Sequence, residues 1–182
     1  MYCSPHLSTT WEKEIDEFGP YKMSGINSDH NDTQYLDMPL KVPNENNPYV
    51  QAFWKWLPTI YKDLRIFRMT GGEPLMDPIH YRILDSIPHP ENVTLKYSTN
   101  LSIMKMGKHS IIDLWKKFKS IKLTISIDGY KELNAKIRRG SDWDLLKKNI
   151  KLVKENLDNL DVIKGTTCIS GMNAQELGKT AE

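Results

Sequence analysis

Apolar residues along this chain gather into four short runs separated by stretches of helical spacing. The runs are Leu64–Met69, Val93–Tyr97, Ile121–Ile127 and Val162–Ile169, each rich in Ile, Leu, Val, Thr or Phe and bounded by turn residues. Runs of this kind predict buried strands. Asp77-Pro78 reads as an N-cap with proline at the first helical position, ahead of Ile79, Ile83 and Ile87, and Pro88 closes that helix. Ser110 and Asp113 resemble a capping box before Ile111, Leu114, Trp115 and Phe118. Ser141 and Asp144 do the same before Leu146, Ile150, Val153, Leu157 and Leu160, with Lys147, Lys148, Lys151 and Lys154 mostly on the solvated side.

Strands alternating with helices predict the α/β class, with a parallel sheet or barrel. In that class chemistry gathers at the carboxyl ends of the strands. All four runs end in small or polar residues: Thr70-Gly71-Gly72-Glu73, Ser98-Thr99-Asn100, Asp128-Gly129 and Ser170-Gly171-Met172-Asn173. The first quarter is less regular. Ser8–Phe18 predicts a helix with Thr9 and Glu12 as its capping box, and 25–47, rich in Asn, Asp, Ser and Pro, reads as a loop or insertion. Val50, Phe53, Trp54 and Leu57 predict a second helix, broken or kinked near Pro58, and a last helix is expected from about Ala174.

Composition narrows the classes. The 182 residues suit one domain, with 39% hydrophobic and 26% charged residues and a net charge of +2. That balance gives no reason to expect nucleic acid or a membrane surface as partner, and Lys116, Lys117 and Lys119 read as a helix face. No apolar run is long enough to span a bilayer and no signal-peptide pattern is present, so the expected compartment is the cytoplasm. Two cysteines, Cys3 and Cys168, exclude a disulfide framework. His6, His30, His80, His89 and His109 have no metal-like spacing and are read as surface or capping residues.

The most specific string is Thr70-Gly71-Gly72-Glu73-Pro74, set between a strand and a helix. Two glycines let a ligand approach the backbone, and Glu73 offers a carboxylate to a cation or ammonium. The string through Leu75 resembles the GGEP motif of the radical SAM superfamily. Met1-Tyr2-Cys3-Ser4-Pro5 resembles the end of that family's C-x3-C-x2-C loop. Ser98-Thr99-Asn100 falls where the family carries polar residues near the ribose. Ser126-Ile127-Asp128-Gly129 resembles the strand-four signature of its Twitch/SPASM-like branch, and Arg138 matches an arginine often implicated in carboxylate binding.

The resemblance implies a partial (β/α)6 barrel, TIM-barrel-like, with four of its parallel strands in this chain. It implies S-adenosylmethionine held by Thr70, Gly71, Gly72, Glu73, Pro74, Ser98, Asn100, Ser126, Asp128 and Arg138. Glu73 would take the ammonium and Arg138, or its neighbour Arg139, the carboxylate. Cys3 would ligate a [4Fe–4S] cluster. The implied reaction is reductive cleavage of the cofactor to a 5′-deoxyadenosyl radical that abstracts hydrogen from a peptide or small molecule. An external donor such as flavodoxin or ferredoxin would supply the electron.

Measured against the family pattern, residues 1–182 are expected to be a partial core domain lacking the first strand, two cluster cysteines and the final strand. The rival expectation is a non-catalytic remnant or a partner-dependent half. A third account is a phosphate-binding (β/α) barrel that uses the Gly-Gly turn.

Overall fold

The computed structural model describes residues 9–19 and 47–181. The chain divides into two compact units, 1–57 and 58–182. The first contains helix α1 (Thr9–Phe18) and most of α2 (Pro48–Ile60), where Phe53 packs edge-on against Trp54 at 5.6 Å between ring centroids. α2 does not break at Pro58 as expected; it runs to Ile60 and passes into a 3₁₀ turn at Tyr61–Asp63. Proline lacks an N–H donor, so at Pro58 the last turn of α2 goes without the bond that position would make to the carbonyl four residues earlier. Nearly all of the expected 25–47 insertion lies outside the described residues.

The second unit is built on four parallel strands: β1 (Ile66–Met69), β2 (Thr94–Thr99), β5 (Ser120–Ser126) and β6 (Leu160–Thr166). A two-residue ladder, β3 (Lys105–Met106) against β4 (His109–Ser110), lies between β2 and β5 in sequence. The sheet order is β1-β2-β5-β6, the same as the chain order. A doubly wound sheet reverses direction at a switch point, whereas strands laid down in sequence are the arrangement of a (β/α) barrel. The fold is thus α/β with four parallel strands of partial-barrel type, and the sheet is open among the described residues.

Strand alternation sets the two faces. Leu95, Tyr97 and Thr99 of β2 and Ile121, Leu123 and Ile125 of β5 are buried, while the residues between them are only half-buried. The buried side carries the helices α3 (Pro78–Ser86), α4 (Ile111–Trp115) and α6 (Trp143–Asn156). These contribute Tyr81 and Leu84, Ile111, Leu114 and Trp115, and Leu146 and Val153 to a single apolar cluster. Each fully buried Leu or Ile there contributes roughly 1.5–3 kcal/mol relative to exposure.

Three local expectations are corrected. The core-facing residues of α3 are His80, Tyr81 and Leu84, with Ile87 beyond its end; Ile79 and Ile83 are only partly covered. Their spacing of four matched a helical face, but one rotated away from the sheet. The cap of α6 is Asp142, which accepts from the Leu145 N–H at 3.0 Å, rather than Ser141. At the C-terminal end, Ala174–Glu176 forms a 3₁₀ turn before the short helix α7 (Leu177–Ala181). Helix α5 (Glu132–Ile137), which the apolar pattern did not indicate, lies between β5 and α6. No helix among the described residues is long and apolar enough to cross a membrane.

Candidate functional site

The exits of β1 and β2 are tied together by one carboxylate. After β1 the chain turns at Gly71, whose φ of +121° lies where a side chain is strongly disfavoured. No atom lies within 4 Å of the position a Cβ would take, so backbone conformation rather than crowding calls for glycine here. Thr70, Gly71 and Gly72 are exposed, and Pro74 opens the 3₁₀ turn Pro74–Met76. Glu73 caps that turn through Oε1, which accepts from the Leu75 N–H at 3.2 Å. The same oxygen accepts from the Thr99 hydroxyl at 2.5 Å, and Oε2 accepts from the Asn100 N–H at 2.7 Å. A carboxylate has about four acceptor positions. Three are taken by its own chain, which leaves one on Oε2 for an incoming donor.

Behind this tie the β2 exit is fixed by further bonds. The Thr99 hydroxyl accepts from the Leu101 N–H at 2.9 Å and the Asn100 side chain accepts from the Ser102 N–H at 2.9 Å. Leu101 is fully buried at a φ of +54°, and its carbonyl accepts from Asn149 of α6 at 2.8 Å. Ser98, two positions before Asn100, alternates to the face opposite the core.

The β5 exit centres on Asp128. Its Oδ2 accepts from Arg138 Nη1 at 2.7 Å and its Oδ1 from the Cys168 N–H at 2.8 Å. Its backbone N–H donates to Asn134 at 2.9 Å, and its carbonyl accepts from Asn173 at 2.8 Å. Asn173 also donates to the Cys168 carbonyl at 2.8 Å, so β5 and β6 leave the sheet as one hydrogen-bonded unit. A Cβ on Gly129 would stand 2.8 Å from the Leu133 side chain and 3.0 Å from the Asn134 N, which explains glycine at that close approach. Ser126 ends β5 in register with Thr166.

The Asp128 side chain is 8% exposed and that of Arg138 is 32% exposed. The Arg138 side chain therefore stays partly accessible, and its guanidinium has N–H donors beyond the one bonded to Asp128 that can serve a second carboxylate. Arg138 is bonded to this strand end. Cys3 lies outside the described residues, and among the described ones no three His, Cys, Asp or Glu side chains are grouped to hold a metal ion.

Sequence patterning missed His80, which is buried rather than superficial. Its Nε2 lies 2.6 Å from the Tyr97 hydroxyl, and its Nδ1 has no partner among the described residues. Burial, partly opposed by the Asp77 charge, lowers its pKa to about 4. Burial raises that of Tyr97. Tyr81 is raised too, by burial first and then by the Glu73 charge, and its hydroxyl donates to the Leu75 carbonyl at 3.0 Å. Asn134 was also missed, and Thr99 and Asn173, though within the polar strand ends read from the sequence, were given no role of their own. Alternation alone puts Thr99 on the buried face with Leu95 and Tyr97, a signal that was available.

Parallel strands in chain order, with a glycine turn and acidic and basic groups fixed at the strand exits, are the arrangement of a (β/α)-barrel segment, the class in which chemistry gathers at those exits. Residues 52–182 match the model of the Radical SAM superfamily, and the chain belongs to that family. No curated protein and no solved structure matches it.

Proposed function

We propose that this chain is the S-adenosylmethionine-holding part of a radical SAM enzyme core. The supporting observation is the exposed turn at Gly71-Gly72, next to a Glu73 carboxylate fixed by three donors and left with one acceptor position. That chemistry suits an ammonium, while the guanidinium of the partly exposed Arg138 suits a carboxylate, the two ends of an amino-acid moiety. Thr70, Ser98, Asn100 and Ser126 offer polar groups at the same strand ends for the rest of the molecule. In this reading Asp128 acts by orienting Arg138.

When bound with a reduced [4Fe–4S] cluster, this cofactor supplies a 5′-deoxyadenosyl radical able to abstract hydrogen from a peptide or small molecule. Cys3 is the cluster ligand in this proposal, and a flavodoxin or ferredoxin the electron donor. The residues described here bind and orient; the cofactor does the bond cleavage.

Calorimetric titration of the 182-residue chain tests the proposal. Saturable binding of S-adenosylmethionine, tighter than any binding of glucose 6-phosphate, is the expected result. The reverse preference would favour a phosphate-binding barrel and overturn it. A form carrying the complete three-cysteine loop, loaded with iron and sulfide, should release 5′-deoxyadenosine on reduction.

A further inference from the structure

The face of the sheet turned away from the core carries a charge pattern that the cofactor does not account for. Arg68, Lys96 and Lys122 stand in direct register across β1, β2 and β5, and Lys164 of β6 lies opposite Thr124 in the next row. Strands are about 4.8 Å apart, so the first three cationic stems arise within roughly 10 Å of one another. The whole chain is nearly balanced, with 25 Lys and Arg against 23 Asp and Glu. The four parallel strands nevertheless contain a single carboxylate, Asp161, which pairs with Lys122 at 2.8 Å. No ion pair involves Arg68, Lys96 or Lys164 among the described residues.

Like charges directly opposite one another destabilise a sheet, so a face selected only for solubility would mix its signs. The neighbouring positions add hydroxyls: Thr94 bonded to Ser120 at 2.9 Å, with Thr124 and Thr166 nearer the strand exits. Hydroxyl and ammonium donors with one bidentate guanidinium make a set suited to oxyanions. Lys96 and Lys122 are half-buried, which strengthens their attraction for an anion relative to a fully hydrated lysine. Arg68 and Lys96 lie two residues before Thr70 and Ser98, about 7 Å inside the strand ends where the cofactor turn sits.

We propose that this face, through Arg68, Lys96 and Lys164, binds the anionic group of a small-molecule substrate bearing more than one carboxylate or phosphate charge. The proposal rests on reading the chain as a radical SAM core and names the class of substrate that core would act on.

The test uses the 182-residue chain with pyrophosphate and citrate as probes, and S-adenosylmethionine titrated in parallel. The variant is Arg68→Gln/Lys96→Gln/Lys164→Gln. A control, Lys148→Gln/Lys151→Gln/Lys154→Gln, removes the same charge from the exposed face of α6. The expected result is that at least one probe binds the wild type and the control, and binds the sheet variant about tenfold or more weakly. S-Adenosylmethionine binding should be the same in all three. Relief of like-charge repulsion should leave the urea midpoint of the sheet variant unchanged or higher, which separates lost binding from lost folding.

Equal losses in variant and control, no binding of either probe, or loss of S-adenosylmethionine together with the probes would each overturn the proposal. The last outcome would give the cations to the cofactor. Binding of an oligothymidylate in place of both small anions would overturn it in favour of nucleic acid. If the wild type binds a probe but no S-adenosylmethionine, the cofactor reading fails and the anion site stands.

Discussion

Glu73 and Thr99, 26 residues apart in sequence, meet at 2.5 Å between carboxylate and hydroxyl and lock the exits of two adjacent strands. The carboxylate that the motif suggests for a ligand is therefore first a structural brace. Glu73→Gln puts an amide where at least one of three donors now points, so a donor faces a donor. It should lower stability by about 1–3 kcal/mol. Urea unfolding measures this, and a midpoint equal to wild type would remove the brace from the account. S-Adenosylmethionine affinity should fall as well.

At Gly71 the backbone alone is at issue. Gly71→Ala meets no neighbour but must hold a φ of +121°, costing roughly 1–3 kcal/mol or a rearranged turn. The expected signature is weaker S-adenosylmethionine binding with a smaller change in thermal midpoint. Unchanged binding would show that the turn's shape is not what the ligand needs.

Asp128 and Arg138 pair across a boundary between buried and solvated surroundings. Asp128→Asn keeps an acceptor for the Cys168 N–H and leaves the guanidinium without its counter-charge. The expected cost is about 1–3 kcal/mol, between that of a surface pair and that of a buried one. A double-mutant cycle with Arg138→Gln should return a coupling energy clearly above zero. Additive losses would mean that the two residues act separately.

Acid should weaken the fold through His80. Its folded-state pKa of about 4 lies below the ordinary 6.5, because burial disfavours the imidazolium. Between those values the unfolded chain binds a proton that the folded chain does not. The stability associated with neutral His80 is therefore complete above about pH 6.5 and is lost as pH falls toward 4, by roughly 3 kcal/mol in all. Urea midpoints recorded from pH 7.5 to 5 should fall in the wild type and fall less in His80→Gln.

All four strands were legible because their runs are short, β-branched and bounded by turn residues, and the structure moves their ends by only a few residues. Val162–Ile169, for example, becomes Leu160–Thr166. Helices were legible where a cap and an apolar face coincided, as at Ser110, whose side chain does accept from the Asp113 N–H at 3.4 Å. Patterning failed where a polar residue belongs to the core. His80 and Asn149 occupy inward positions on their helices because Tyr97 and the Leu101 carbonyl need partners there. Those partners lie 17 and 48 residues away, beyond any local periodicity. The same distance hides the Glu73–Thr99 and Asp128–Asn173 ties. The motif identified Glu73, but only folding reveals how few of its acceptor positions remain.

The strand order carries a kinetic consequence. Each parallel strand pairs with the preceding one, so the sheet can grow at a single edge as the chain is made, with modest loop-closure entropy at each addition. The bonds that complete the strand exits arrive later. Leu101 waits for Asn149, and Asp128 waits for Cys168 and Asn173. During synthesis the first three parallel strands can therefore pair before the exits of β2 and β5 are fixed, and those exits close only once the last of these residues has emerged.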